Sequence, residues 1–386
     1  MESYIPRTIE TQLYESLTGP IRKVNILYGP RQVGKTSLSD KILHQLGTDK
    51  ILRLNADAAP DSAVFSSRDP AQLRLMIGNN EFLFIDEAQR IPDIGINLKI
   101  LHDQFPKLRI LVTGSSSLDL ANKVLEPLTG RTRTWWLYPM SAQELSSAFG
   151  TLNYHQRLEE WLLFGTYPEV VKTPGREDKI SYLTELTNSY LFKDILELAN
   201  IRNSNVLRNL LKMLSLQVGG EVSFNELGRK LGVSTLTIQR YIDLLEKSFV
   251  LKVVGGFSRN LRKEITKSQK IYFLDLGIRN ALIDRFNPLS LRDDIGALWE
   301  NFLFIERMKL LRNNQLRGNH YFWRLHTGAE LDMVEQTENR ISGFEFKFRS
   351  KKAKAPESWV KAYPEASFEL INTENYLPFV LEPPKK

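Results

Sequence analysis

Apolar positions recur along this chain in two rhythms, and the changes between them mark its elements. Ile5, Ile9, Leu13 and Leu17 stand four apart, the spacing of one helix face, and Gly19-Pro20 ends that stretch. Short, nearly unbroken apolar runs follow: Val24 to Tyr28, Ile51 to Asn55, Phe82 to Ile85 and Arg109 to Thr113. Such runs predict strands, the one from Phe82 a buried parallel strand ending in the carboxylates Asp86 and Glu87. Leu38, Ile42, Leu43 and Leu46 have helical spacing, and Pro70 to Ile77 reads as a helix. A further strand runs through Trp135, Trp136 and Leu137. Strands alternating with helices over the first 140 residues predict an α/β domain.

The rhythm then changes. Residues 141–205 read as helices rich in Leu, Tyr and Phe, interrupted at Gly165-Thr166-Tyr167-Pro168 and at Thr173-Pro174-Gly175; they form a lid over a ligand or a connection between domains. From Val206 the elements shorten. Phe224 to Ser234 reads as a helix, a tight glycine turn and a serine N-cap, the pattern of a helix-turn-helix. In the second helix Leu236, Tyr241, Leu244 and Leu245 are expected to face inward, leaving Thr235, Thr237, Gln239 and Arg240 outward, and Phe249 to Val254 begins a wing. Asn287-Pro288 marks a last boundary, followed by a helix from Gly296 to Leu311 and strands at His320–Arg324, Glu330–Val334 and Ile341–Phe348. Four domains are expected: 1–140, 141–205, 206–285 and 286–386.

Candidate chemistry falls at the ends of the first strands. Gly29-Pro30-Arg31-Gln32-Val33-Gly34-Lys35-Thr36 fits G-x-x-x-x-G-K-[ST] between a strand and a helix, the setting of a phosphate-binding loop. Its backbone N–H groups and the positive end of the following helix cradle phosphates, with Ser37 next in line. Lys35 would reach the β/γ-phosphate oxygens and the Thr36 hydroxyl would ligate Mg²⁺. The strand Phe82 to Ile85 delivers Asp86 to the Mg²⁺ ligand sphere and Glu87 to the attacking water, the Walker B pattern. Thr113 or Ser115, at the end of another strand, would sense the γ-phosphate or else cap a helix. Arg131 is the candidate arginine finger for a neighbouring subunit's nucleotide, with an ordinary surface arginine as the alternative. ATP and Mg²⁺ are therefore the expected cofactors.

Composition narrows the class. The chain has 386 residues and no cysteine, which excludes disulfides and cysteine-ligated metal. No apolar run reaches the length of a membrane span and Met1 to Tyr4 lacks a secretory layout, so a soluble, cytoplasmic protein is expected. Five histidines show no paired ligand spacing. The net charge is +7, and residues 206–290 hold 14 Lys/Arg against 7 Asp/Glu, so the surplus is local. Lys252, Arg259, Arg262, Lys263, Lys267 and Lys270 stand against only Glu264 around the wing. That points to phosphate contacts with duplex or branched DNA, although winged helices also dock proteins.

In the last domain Glu330 and Asp332 share one strand face, as do Glu345 and Lys347, and Asp332 with Glu345 could hold a divalent metal; a solvated sheet face is the alternative.

The motifs together resemble bacterial and archaeal ATPases with an AAA-type N-terminal domain and a C-terminal domain of unknown function. The carriers are Gly29 to Thr36, Phe84-Ile85-Asp86-Glu87-Ala88-Gln89, Leu111 to Ser116, Leu128-Thr129-Gly130-Arg131, Gly165 to Glu169, Lys270 to Gly277 and Glu345-Phe346-Lys347. The resemblance implies an AAA-type P-loop ATPase sheet, a helical and winged-helix region and a small α/β domain similar to the restriction-endonuclease-like fold. Glu300, Asp332, Glu345 and Lys347 match that fold's acid, acid, acid-x-lysine positions, while Leu331 stands where a proline often precedes the first strand acid. Three functions follow as expectations: an oligomeric, DNA-directed motor or remodelling ATPase, hexameric in ring form; a nucleotide-gated nuclease of a defence or toxin type; and a nucleotide-switched protein scaffold.

Overall fold

The computed structural model describes residues 4–56, 65–114, 128–191, 204–258, 269–338, 340–350 and 352–384. The apolar runs of the N-terminal region become five strands: β1 (Val24–Tyr28), β2 (Ile51–Asn55), β3 (Phe82–Asp86), β4 (Arg109–Gly114) and β5 (Thr132–Trp136). They form one sheet in the order β2-β3-β4-β1-β5, and every pairing is parallel. Strands β1 and β4 are buried at nearly every position, as expected of a central pair covered on both faces. The helices Glu10–Thr18 and Lys35–Gln45 bring Leu13, Leu17, Leu38 and Ile42 into one core with Leu27, Phe84, Leu111 and Trp135. The helix Pro70–Ile77 begins where Asp69 accepts a hydrogen bond from the Ala71 amide and Pro70 occupies the first turn.

The chain divides into two compact units, residues 6–138 with 247–249 and residues 139–246 with 250–386 and the first five. The three C-terminal segments expected as separate domains thus fold within one unit. One reason lies just past the strand β7 (Leu251–Gly255). There the Phe257 amide donates to the Phe322 carbonyl at 2.6 Å, and the Phe257 ring packs with Trp323, Trp359 and Tyr363 of the C-terminal region.

Within that unit the helix Ser204–Leu216, the short strand β6 (Glu221–Val222), the helices Phe224–Leu231 and Thr235–Lys247, and the hairpin of β7 with β8 (Gln269–Phe273) follow the element order expected of a winged helix. Ser234 caps the second helix by accepting from the Thr237 amide at 3.1 Å. The inward stripe is Ile238, Ile242, Leu244 and Leu245; Leu236, expected inside, is 75% exposed. Residues 238, 242 and 245 repeat at one helical turn, and Leu236 lies on a different face from that repeat. The C-terminal sheet runs β12-β11-β10-β9, with β9 (Asn319–Arg324), β10 (Glu330–Gln336) and β11 (Ile341–Phe346) antiparallel in turn and β12 (Ser367–Ile371) parallel to β11. Among the described residues, no helix is long and apolar enough to cross a membrane.

Asp275 joins two of the motifs noted above. Its carboxylate accepts from the Thr166 amide at 2.8 Å and from the Ile278 amide at 3.1 Å, capping the helix Leu276–Leu282 and fastening the Gly165 turn. A Cβ on Gly277 would stand 2.0 Å from the Phe164 carbonyl oxygen, and one on Gly165, whose φ is +70°, would stand 2.1 Å from Asp275. The Phe164 oxygen is backbone and cannot turn away. Gly277→Ala is therefore expected to destabilise the chain by about 3 kcal/mol or more in urea unfolding. Gly296→Ala, where nothing lies within 4 Å of the new methyl, should leave stability unchanged or slightly raised. Equal stabilities for the two variants would contradict the packing argument.

Candidate functional site

Because the sheet is parallel, β1, β3 and β4 end at the same edge, and β4 lies between the other two. The loop after β1 opens at Gly29, where a Cβ would meet the Leu137 carbonyl oxygen at 2.3 Å, so only glycine fits. It closes at Gly34, whose φ of +96° lies in the left-handed region just before the helix Lys35–Gln45. Pro30 and Val33 are buried, Arg31 is half-buried, and Gln32, Thr36 and Ser37 are exposed along the loop and the first turn.

Lys35 is only 5% exposed, and its Nζ donates to the Gly29 carbonyl at 3.1 Å and to the Pro30 carbonyl at 3.0 Å. Glu87 Oε1 lies 3.7 Å from the same ammonium. Asp86 is held at both oxygens, since Thr36 Oγ1 donates to Oδ2 at 2.9 Å and the Thr113 hydroxyl donates to Oδ1. Thr113 also accepts the Glu87 amide at 3.1 Å. The fully buried threonine thus spans the two residues, bonded to the Asp86 carboxylate and to the Glu87 amide. Glu87 has φ of +52°, a left-handed conformation costly for a residue with a Cβ. Its carboxylate accepts from the Gln89 side chain. Lys35, Thr36, Asp86, Glu87 and Thr113 are therefore gathered at one point, while Ser115 lies outside the described residues.

Two further residues brace this edge. Arg7, 6% exposed, donates to the Val33 carbonyl at 2.9 Å and to the Tyr138 carbonyl at 2.5 Å, tying the loop to the chain beyond β5. No periodicity marked it, since its partners are distant carbonyls. Gln89, also buried, donates its side-chain amide to the Glu87 carboxylate.

Arg131 stands at the start of β5, and Val24 at the start of β1 pairs with Thr132, so it lies at the opposite edge of the sheet. One five-residue strand separates it from the loop, about 16 Å. Its guanidinium grips Asp103 through two bonds of 2.9 and 3.2 Å. Arg131 and then His102 hold the Asp103 carboxyl down to about 2.

In the C-terminal sheet the four predicted residues meet different partners. Glu300, on the helix Ile295–Asn313, accepts from Lys270 Nζ at 2.9 Å and from the Tyr272 hydroxyl at 2.7 Å. Asp332 is buried and accepts the Phe346 amide at 2.7 Å, while Glu345 pairs with Lys347 at 2.6 Å. Burial first, then the charges of Glu300 and Glu345, push the Asp332 carboxyl up to about 8. Among the described residues no group of three or more His, Asp or Glu side chains is placed to hold a metal ion. Asp332 and Glu345 each have a partner within the chain, a backbone amide for one and a lysine for the other. Lys270, expected in the basic row, and Tyr272 instead meet Glu300; they alternate on one strand and so share a face.

Of the expected DNA-contacting residues, Gln239 and Arg240 are exposed. Thr235 donates to Asn225 Oδ1 at 2.6 Å and Thr237 shares its hydroxyl with Ser234, so both are engaged locally. Arg259, Arg262, Lys263 and Lys267 lie outside the described residues. The expected basic row is shorter than its sequence, because Lys252 pairs with Glu246 and Lys270 is buried against Glu300.

Residues 21–146 match the AAA domain family, residues 155–289 a domain of unknown function (DUF8612) and residues 295–379 another (DUF4143). An uncharacterized protein of Mycobacterium tuberculosis is 30% identical over 334 residues, covering 84% of this chain and 70% of the relative. One from Methanocaldococcus jannaschii is 24% identical over 355 residues, covering 87% and 76%. Among solved structures, the Aeropyrum pernix ORC1 protein in complex with DNA is 16% identical with a TM-score of 0.36, over 74% of this chain and 95% of that one. A mutant of Thermotoga maritima RuvB is 17% identical with a TM-score of 0.34, over 73% and 94%. Overlaps at those scores carry no argument about this protein. The long relative and the two flanking domain matches do: the chain belongs to the prokaryotic family of AAA-type ATPases that carry a DUF4143 C-terminal domain.

Proposed function

We propose that the protein binds ATP with Mg²⁺ at the loop Gly29–Thr36 and hydrolyses it, and that the hydrolysis drives work on DNA. The observation that carries the ATPase reading is the bonded chain Thr36–Asp86–Thr113–Glu87 beside Lys35. Thr36 and Asp86 suit a hard divalent cation, which takes oxygen ligands and would neutralise charge on the phosphates. Lys35 grips the β/γ-phosphates. Glu87, fixed by the Thr113 hydroxyl through its own amide, orients the attacking water. Arg131 cannot reach its own chain's loop, which supports a role on a neighbour's nucleotide in a homo-oligomer, for which we propose a ring of six.

DNA as the partner rests on the winged-helix element order, on exposed Gln239 and Arg240, and on the basic surplus of residues 206–290. A protein-docking role is the competing use of the same surface, and exposed Leu236 favours it.

The nuclease reading has one observation on its side: Glu300, Asp332 and Glu345 lie close enough for their charges to act on one another. Against it, Lys270 places an ammonium among these acids from inside the fold. We therefore place ATP hydrolysis, rather than cleavage, at the centre of the function.

Three outcomes test these assignments. Lys35→Ala should lose ATP binding, whereas Glu87→Gln should keep it and hydrolyse about 10²-fold or more slowly; unimpaired hydrolysis by Glu87→Gln would remove that residue from its role. On duplex DNA, if about four to six cations contact phosphates, log affinity should fall against log salt with a slope of roughly −4 to −5. A flat response, or no loss from Arg240→Ala combined with Arg259→Ala and Arg262→Ala, would favour a protein partner. Finally, Asp332 carries a folded-state pKa of about 8 against an ordinary 3.8. The folded chain thus keeps a proton there that the unfolded chain releases. The stability tied to that proton is complete below the unfolded value and is lost as the pH rises towards about 8. Asp332→Asn, which can still accept from Phe346, should therefore gain in Tm relative to the unmodified chain between about pH 5 and about pH 8.5. A pH-independent difference would show that Asp332 is ionised throughout.

A further inference from the structure

The Glu87 carboxylate is reached by two donors of different kinds, and one of them has no part in the roles assigned above. Oε1 lies 3.7 Å from the Lys35 ammonium, while Oε2 accepts from Nε2 of the Gln89 side-chain amide. Gln89 is 9% exposed, so its amide is directed into the protein rather than to water. Thr113 fixes the backbone of Glu87 through the amide, and Gln89 fixes its side chain.

Local backbone brings the two side chains together. Strand β3 ends at Asp86, and Glu87, with its φ of +52°, turns the chain directly into a single 3₁₀ turn, Ala88–Arg90. That turn is fastened along its length: the Arg90 amide donates to the Glu87 carbonyl at 3.0 Å, the Ile91 amide donates to the Ala88 carbonyl at 3.1 Å, and Ala88 is fully buried. Residues two apart on a regular helix do not face each other, so the contact of Gln89 with Glu87 depends on the left-handed residue at the head of the turn. Glycine would hold that conformation with less strain, and a glutamate kept in it points to a use for its carboxylate.

The kind of donor matters. A carboxylate that orients water must keep its negative charge and its basicity, and Lys35 already supplies one positive charge beside it. A second cation in the place of Gln89 would fix direction but draw basicity away, whereas an uncharged amide fixes direction with little loss of it. An ionised carboxylate has about four acceptor sites, and Gln89 takes one of them. We propose that Gln89 is a positioning residue for hydrolysis: it holds the Glu87 carboxylate in line with the attacking water while Lys35 serves the phosphates. The bond from Gln89 does not depend on Lys35, so it persists when the ammonium is engaged by phosphate. This role rests on the reading of Glu87 as the residue that orients the water.

A double-mutant cycle on the full-length chain tests it, read as single-turnover ATP hydrolysis with enzyme in excess, and with affinity for a non-hydrolysable ATP analogue measured by calorimetric titration. Gln89→Met keeps the length of the side chain and loses its donor. It should slow hydrolysis about tenfold or more while affinity stays within about twofold, the effect of losing a hydrogen bond to a charged group that acts on the chemical step. In a chain that already carries Glu87→Gln, Gln89→Met should slow hydrolysis no further, because the group it positions is gone. A residue that only supports the fold would slow both chains alike. Gln89→Glu sets an acid against an acid at the same length; it should slow hydrolysis at least as much, and it gives a second reading where Gln89→Met folds poorly. The proposal is overturned if both Gln89 variants hydrolyse as fast as the unmodified chain, if Gln89→Met costs the same with and without Glu87→Gln, or if affinity for the analogue falls in step with the rate. Unimpaired hydrolysis by Glu87→Gln alone would remove the reading on which the role rests. A slow Glu87→Gln chain beside fast Gln89 variants removes the role of Gln89 and leaves Glu87 in place.

Discussion

All five strands of the ATPase sheet run the same way, and that one constraint decides where chemistry can be placed. Strand ends of one polarity fall at one edge, so the loop after β1, the carboxylates after β3 and the threonine near the end of β4 converge without any long-range device. Starts of strands fall at the other edge. Arg131, preceding β5, is there by the same rule, bound to Asp103 and remote from its own loop. A sheet of mixed direction would have scattered these groups. Because β4 pairs directly with β3, Thr113 lies beside the end of β3 and touches both Asp86 and Glu87.

The other unit depends on burying polarity rather than on an edge. The helix Ile295–Asn313 is buried around most of its circumference, yet it carries Asn301, Glu306, Arg307 and Lys309 into the interior. Each is satisfied. Asn301 bonds both the amide and the carbonyl of Phe273, Glu306 takes the Ala142 amide and the Lys309 ammonium, and Arg307 makes a two-pronged pair with Glu335. Such pairs add little net stability, but breaking one strands a buried charge, so they resist alternative packings. This network draws segments far apart in sequence into one unit.

What could be read from the sequence follows the range of the interaction that decides each feature. The strands β1 and β2 and the helix Pro70–Ile77 were legible because local periodicity, Asp69 and Pro70 specify them within a few residues. That the loop and Asp86–Glu87 meet at one sheet edge was legible because each directly follows a strand of a parallel sheet. The two-residue strand β6 and the half-exposed β12 carry no strong alternation and were not seen. Leu236 was misplaced because apolar spacing alone admits more than one phase for a short helix. The environments of Lys270 and Asp332 were beyond reach, since they arise where a hairpin, a helix and two strands meet and only tertiary packing brings those together.

If the ATPase is assembled across subunits, two different lesions should complement each other. Steady-state ATP turnover of a mixture of Glu87→Gln and Arg131→Ala chains measures this, with each variant alone as reference. Either variant alone should turn over slowly. The mixture should regain hydrolysis well above the average of the two, because some sites then combine an intact Glu87 with a neighbour's intact Arg131. A mixture no faster than that average, or an Arg131→Ala chain as active as the unmodified one, would contradict catalysis shared between the opposite edges of the sheet.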